Sequence, residues 1–281
     1  MGIVIGIDVG GSTTKIVGIE GDKVNNPMFV RATDPVTSLF GALGKYIYDS
    51  GFSLEDIEQI VLTGAGSAYV KQPLYGLPTT KIDEFIANGL GARYNLNLEN
   101  VMVVSMGTGT SFVQVTGNTI KHIGGLAIGG GTINGLSRLL LETNDFERIK
   151  ALAEKGDLNN VDLHIRDITP FPLPGLSLDL TASLFGKVDS NVSKEDLSLG
   201  IIHMVLQTIA QGAVFACMNS EIKDIVMIGN LTQLPHCGDI LSRLADLCKV
   251  RFIVPKYAEY RTAIGAALSH SLHWNEHSLE K

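Results

Sequence analysis

Asp8 is the residue whose setting most asks for chemistry. It ends the apolar run Ile3-Val4-Ile5-Gly6-Ile7 and opens the turn Gly10-Gly11-Ser12-Thr13, after which Lys15-Ile16-Val17-Gly18-Ile19 is largely apolar again. Short turns of glycine and hydroxyl residues present backbone N–H groups and hydroxyls with no side chain in the way, which suits phosphate oxygens. A carboxylate beside bound phosphate is repelled unless a cation lies between them. Asp8 therefore predicts Mg²⁺ held through water; a turn cap is the other use open to it. The plan recurs where Val101 to Met106 leads into Gly107-Thr108-Gly109-Thr110-Ser111 and on to Phe112-Val113-Gln114-Val115. One such turn is weak, because hairpins use glycine for conformation alone. Two in equivalent places predict a pair of jaws able to hold the ends of one triphosphate. No GxxxxGK[ST] P-loop occurs in the sequence, so the grip is of another kind.

The elements that must place these turns follow from pattern. Residues 3–8 and 14–20 read as strands buried on both faces, and 27–32 as a third. Asp34-Pro35 starts a helix, with Asp as cap and Pro at the first position, that runs to Ser50 and is closed by Gly51. A strand at 59–63 ends in Thr63-Gly64-Ala65-Gly66, and a helix is expected from about Lys81 to Tyr94, with Thr80 as cap and Asp83 at its third position. In that helix Ile82, Phe85, Ile86, Gly89 and Leu90 make the inward face, which turns Glu84 away from the core. A solvated glutamate drawn to the positive end of the helix is one reading of it.

The second round has strands through 101–106, 110–115 and 119–123, then Gly129-Gly130-Gly131 opening a helix over 132–142, whose N-terminus can receive an anion. A further helix covers 145–155, and 157–192, with Pro170, Pro172 and Pro174, reads as an insertion of loops. A long helix at 193–220, a strand at 224–228, a helix at 234–248, a strand at 250–254 and a helix at 257–273 finish the second half, with a frayed tail from Trp274. Twice-repeated βββαβα predicts an α/β protein of two lobes, 1–98 and 99–281, with a cleft between them.

Composition bounds the chemistry. The chain has 281 residues, 45% of them hydrophobic, and a formal net charge of −7, so it can fill a core and lacks the basic footprint of a nucleic-acid binder. Cys217, Cys237 and Cys248 are odd in number and without a CxxC pair, which suggests neither a disulfide framework nor zinc. No uninterrupted apolar run reaches the roughly 18 residues of a membrane span. No signal-like N-terminus precedes the first strand. A cytoplasmic, small-molecule enzyme with no membrane partner is the expectation.

IGIDVGGSTTKI, SMGTGTS and the late Gly229-Asn230 after Ile225-Val226-Met227-Ile228 resemble the two phosphate motifs and the adenosine motif of the sugar kinase, Hsp70 and actin superfamily. Within it the chain resembles the type II, eukaryotic-like pantothenate kinases through Asp8 to Lys15, Lys81 to Gly91, Gly107 to Ser111, Gly124 to Gly135, Leu180 to Gly186 and Ala263 to Ala267. The resemblance implies two RNase H-like lobes around an ATP cleft, a homodimer, and Mg²⁺-ATP phosphorylating pantothenate at the start of coenzyme A synthesis. It assigns the catalytic carboxylate to Glu84 and the organising of water and Mg²⁺ to Asp8. Nucleotide contacts fall to Gly10, Gly11, Ser12, Thr13, Lys15, Gly107, Thr108, Gly109, Thr110, Ser111, Gly129, Gly130, Gly131 and Gly229. Substrate contacts fall to Thr181, to Tyr260 and to His122, which stands where well-known members have an Arg. His cannot reproduce the bidentate grip of Arg, and an exposed strand residue or a hydrogen-bonded core histidine are its other readings. Kinases for pantetheine, a sugar or another hydroxyl acceptor, and an ATPase switch of the dehydratase-activator kind, are the alternatives.

Overall fold

A computed structural model of the protein describes residues 2–11, 13–31, 34–71, 73–171, 174–175 and 177–274. The first half runs β1 (Ile3–Val9), β2 (Thr13–Glu20), β3 (Lys23–Arg31), α1 (Pro35–Ser50), β4 (Ile57–Thr63), β5 (Thr79–Lys81) and α2 (Glu84–Arg93). Its sheet has the order β3-β2-β1-β4-β5, antiparallel on the β2 side of β1 and parallel on the β4 side. The second half begins with β6 (Asn100–Met106), β7 (Thr110–Thr116), β8 (Thr119–Leu126), α3 (Gly130–Leu140) and α4 (Phe146–Ala153). It continues through β9 (Leu163–His164), α5 (Ile165–Ile168), β10 (Thr181–Ser183), α6 (Lys194–Cys217), β11 (Asp224–Ile228), α7 (Cys237–Cys248), β12 (Arg251–Ile253) and α8 (Arg261–Ser271). Its main sheet, β8-β7-β6-β11-β12, repeats the order and the directions of the first. The doubling read from two glycine turns is therefore a doubling of the whole sheet plan.

Alternation along each strand sorts the layers. In β1, Ile3, Ile5, Ile7 and Val9 pack with Leu39, Leu43 and Tyr46 of α1, while Val4 belongs to the opposite face with Val17, Val61 and residues of α8. In β6, Met102, Val104 and Met106 join α6 and α7, and Val101 and Val103 meet Ile86 and Leu90 of α2. The helices α2 and α8 thus lie side by side between the two sheets. The closing helix, expected to complete the second half, packs on the first sheet instead. Gly6 on β1 lets it come close, because a Cβ there would stand 2.0 Å from the Ala263 carbonyl oxygen.

The pair α2 and α8 crosses backbone to backbone. A Cβ on Gly91 would lie 1.7 Å from the Arg261 oxygen, and one on Gly265 would lie 1.8 Å from the Ala87 oxygen. Arg261, buried with its pKa lowered to about 10 by burial, donates to the Gly91 and Tyr94 carbonyls at the C-terminal end of α2. Asn88 accepts a 2.7 Å hydrogen bond from the Thr262 hydroxyl, and its own Nδ2 has no partner among the described residues. An unpartnered buried donor of this kind costs about 1–3 kcal/mol.

Other expectations shift by local chemistry. The Asp34 cap (Thr37 N–H to Asp34, 2.7 Å), Pro35 and the left-handed Gly51 close α1 as the sequence predicts. The second helix starts at Glu84 rather than about Lys81, because residues 79–81 are drawn into β5 beside β4. Asp83, not Thr80, is the cap, accepting from Phe85 N–H (2.8 Å) and Ile86 N–H (3.2 Å). With a sheet on one side and α8 on another, Ile86 through Ala92 are all buried, so the single inward face expected of this helix is wrong. The insertion at 157–192 stands outside the two main sheets but is not all loop: β9 and β10 pair there, and the buried Asp162 binds His203 of α6 at 2.6 Å. By length and composition α6 could cross a membrane, a match that counting uninterrupted apolar residues passes over; its apolarity is spent on the core, where Ile201, Ile202, Val205 and Ile209 are fully buried.

Candidate active site

Asp8, Lys15 and Thr63 meet on the face of the first sheet that looks toward α2 and α8. Asp8 is in register with Lys15 on β2 and with Thr63 on β4. Lys15 Nζ lies 3.8 Å from Asp8 Oδ2, and both side chains are nearly buried. Burial raises the Asp8 pKa, and the nearby Lys15 charge opposes that rise. Gly64 encloses the carboxylate: its φ is +82°, and a Cβ on it would stand 2.5 Å from Asp8 Oδ1 and 2.7 Å from the Val9 oxygen. The Thr63 hydroxyl is buried without a partner among the described residues. This is a set of hard oxygen donors with one carboxylate, which fits a water-mediated Mg²⁺ better than a fully protein-ligated metal.

Glu84 is the first residue of α2 and half-buried, so the expectation that it points away from the core is corrected. Its carboxyl is pushed up to about 7, first by burial, then by the charges of Asp8 and Asp83, with Lys15 opposing. Asp8 and Glu84 therefore belong to one electrostatic cluster. A carboxylate with a pKa near neutrality accepts a proton efficiently at physiological pH. A cavity of about 540 Å³ borders Asp83, Lys81, His270 and Trp274 and includes neither Glu84 nor Asp8.

The first turn closes with Gly10 N–H on the Thr13 oxygen at 3.0 Å, and Gly11 has open space where a side chain would be. Ser12 lies outside the described residues. The second turn is built into its surroundings. Gly130 and Gly131 N–H donate to the Gly107 and Thr108 carbonyls at 2.9 Å each, and the Thr110 hydroxyl donates to the Ile128 carbonyl at 2.8 Å. A Cβ on Gly129 would stand 2.6 Å from the Thr108 oxygen, and one on Gly229, at φ +100°, 2.3 Å from the Met106 oxygen. Gly107 to Thr110, Gly129 to Gly131 and Gly229 thus form one backbone surface, and Ser111 sits half-buried at its base. The glycine-opened helix begins at Gly130, two residues before the expected start.

The substrate candidates divide. His122, exposed on β8, lies flat against Phe85 of α2, ring centroids 3.8 Å apart at 7°, one residue from Glu84. Thr181 pairs with His164 in the separate β9–β10 ribbon. Tyr260 ends the turn before α8 and packs against the cluster that joins Val4, Val17 and Val61 of the first sheet to α8. No side-chain hydrogen bond or ion pair joins Thr181 or Tyr260 to Glu84 among the described residues. The sequence reading missed Gly64 as a site residue. Its signal was present, since Ile60-Val61-Leu62-Thr63-Gly64 repeats the strand-then-glycine plan of Ile225-Val226-Met227-Ile228-Gly229.

Comparison with known proteins bears on the fold and the family. Solved structures share the fold at low identity. The activator of 2-hydroxyisocaproyl-CoA dehydratase from Clostridium difficile with bound ADPNP has a TM-score of 0.69 at 15% identity, covering 99% of this chain and 98% of that one. A ROK family glucokinase from Streptomyces griseus with glucose and AMPPNP has 0.58 at 11%, covering 95% and 98%. By sequence, a type II pantothenate kinase of Staphylococcus epidermidis is 31% identical over 238 residues, 80% of this chain and 84% of that one. A type II pantothenate kinase of Staphylococcus aureus is 29% identical over 278 residues, 93% and 97% of the two chains. The family model Fumble matches residues 93–268. The doubled sheet, the paired glycine turns and these relatives together show that the chain belongs to the Fumble family, that of the type II pantothenate kinases.

Proposed function

We propose that this chain transfers the γ-phosphoryl group of ATP to the primary hydroxyl of pantothenate. What carries the chemistry is Glu84, half-buried at the start of α2 with its carboxyl pushed up to about 7 by burial and by the charges of Asp8 and Asp83; kinship with pantothenate kinases supports the acceptor. Glu84 takes the hydroxyl proton as the substrate oxygen forms its bond to the γ-phosphorus. The bond from that phosphorus to the β–γ bridging oxygen breaks, and ADP leaves with the electron pair. Bound Mg²⁺ would neutralise phosphate charge, with Asp8 and Thr63 orienting its water. Gly10, Gly11, Ser12 and Thr13 take one end of the phosphate chain, and Gly107 to Ser111 the other. Gly129 to Gly131 and Gly229 border the nucleoside. Lys15 balances the two carboxylates and contacts phosphate.

His122 faces the acceptor in this reading, with Thr181 and Tyr260 as further acceptor contacts. A flat imidazole on Phe85 offers one hydrogen-bonding edge where a guanidinium would offer a fork. The lobes divide near residue 98, with α2 and α8 exchanged between them. The chain works in the cytoplasm as a homodimer, which its mass in solution tests. Cys217 and Cys237 are buried free thiols, each pushed up to about 11 by burial; iron content separates the kinase from an activator-type ATPase.

The experiment is a coupled ADP assay with Mg-ATP. ADP appears only when pantothenate is added. ADP release with pantetheine or a sugar but not with pantothenate would reassign the acceptor, and acceptor-independent release would point to an ATPase.

A further inference from the structure

The hydrogen bond between Thr262 and Asn88 is the polar contact in the α2–α8 crossing whose purpose the mechanism leaves unexplained. Both residues are buried, at 6% and 0% exposure. The interface around them is built of Ala87, Gly91, Ala263, Gly265 and Ala266. Apolar residues of the same size would pack there without leaving Asn88 Nδ2 unpartnered. A buried polar pair kept at a cost to stability is best attested as a device that fixes register.

Geometry shows what register is at stake. The backbones touch over one turn of α2, where Gly265 meets the Ala87 carbonyl and Gly91 meets Arg261. Arg261 ties down the C-terminal side of that turn. Glu84 lies about five residues from the middle of the contact on the other side, about 7.5 Å along the axis at 1.5 Å per residue, so a swing of about 8° carries its backbone about 1 Å. Asn88 stands within the contact, one turn from Glu84 on the same stripe of the helix. The Phe85–His122 stack fastens the first turn of α2 to the second sheet. Thr262 belongs to α8, which packs on the strands that carry Asp8 and Lys15. Asn88 is therefore the side-chain-to-side-chain polar link from the Glu84 helix to α8 and, through it, to the sheet holding the rest of the cluster.

We infer that the Asn88–Thr262 hydrogen bond is a positioning contact: it sets the angle of α2 on α8 and thereby fixes the Glu84 carboxylate relative to Asp8 and Lys15. The inference rests on Glu84 acting as the base. Misplacing a reacting group by 1 Å costs up to about 10²-fold in rate.

The test uses the full-length enzyme with Mg-ATP and pantothenate. Thr262→Val and Asn88→Leu each lower kcat about tenfold or more, with KM for ATP within about twofold. Thr262→Ser, which keeps the hydroxyl, retains at least about half of kcat. The double variant Asn88→Leu/Thr262→Val, free of unpartnered polar atoms, melts at or above the wild-type temperature and is still slow, a combination that a merely structural role would not give. Wild-type kcat in the folded double variant, or Thr262→Ser as slow as Thr262→Val, would overturn the inference. Glu84→Gln is run beside them. If it is fully active, the base assignment fails, whatever the other variants do; if it is inactive while Thr262→Val is not, only the positioning role fails. Should no acceptor support turnover, crystal structures decide. The inference expects Glu84 to shift by about 1 Å relative to Asp8 in the double variant, and superimposable sites overturn it.

Discussion

The two halves of the molecule have the same sheet and the same turn, yet they differ where each turn is rooted. In the first half the penultimate cross-strand pair below the turn is Asp8 with Lys15. At the equivalent place in the second half it is Ser105 with Ser111. One root carries opposite charges in a buried setting, and the other carries two hydroxyls. The first turn is also the looser one, with open space beside Gly11, while the second is hydrogen-bonded to the start of α3 and pressed on by Gly129 and Gly229. Under the proposed function the duplicated scaffold divides two tasks: the charged root is assigned the electrostatics of transfer, and the fused backbone surface a fixed seat for the nucleotide.

The sharpest way to probe that division is to remove charge from one root and hydroxyl from the other. Glu84→Gln, which deletes the partner of the charged root, is expected to cost about 10²–10⁴-fold in kcat while ATP still binds, as followed by calorimetry and steady-state rates. Asp8→Asn should cost about 10²-fold, whereas Ser105→Ala at the matching position stays within about threefold of wild type. Equal losses at the two positions would erase the distinction drawn between the halves. Asp8→Asn has a second signature. The Asp8 charge raises the Glu84 pKa, together with burial and Asp83 and against Lys15. Its removal should move the acid limb of the kcat–pH profile, near pH 7 in the wild type, to lower pH.

What the halves share can be tested at their paired glycines. Gly64 and Gly229 both follow the parallel strand next to the central one, both have positive φ, and both press on the last carbonyl of the central strand. Alanine at either should destabilise by about 2 kcal/mol, which for a chain of this size is a fall in Tm of about 4–8 °C. A loss at only one would show that the likeness of the two positions is superficial.

The smallest effect concerns Glu84 alone. Its folded pKa of about 7 exceeds its ordinary value of 4.5, so the native state holds the proton more tightly over that window. The contribution of this group to stability is full below pH 4.5 and is lost as pH rises through about 7. Glu84→Gln should accordingly melt higher than wild type at pH 8, and the gap should close toward pH 5 in scanning calorimetry.

Much of this was legible in the residues themselves. Asp34-Pro35 and Gly51 bracket a helix by local capping alone, and the two glycine turns announce the doubled sheet. What escaped depends on contacts distant in sequence. Ala263-Ile264-Gly265-Ala266-Ala267 suits close packing on any flat surface, so nothing in it says that the first sheet is its partner. Glu84 was placed on the outside because one inward face was assumed, whereas α2 is enclosed from more than one direction. Asp83 took the cap because Thr80 was claimed by β5, and strand pairing between residues 60–62 and 79–81 has no short-range signal. The stack of His122 on Phe85 likewise joins a strand and a helix that pattern alone cannot bring together.

The placement of α8 bears on how the chain is made. Val4, Val17 and Val61 belong to the half that leaves the ribosome before the second sheet, yet α8, which packs over them, is made after that sheet. During translation that face of the first sheet waits for residues 261–271 to emerge. The half that carries Asp8 is begun before the second sheet and finished after it, so the two halves cannot fold as strictly successive units.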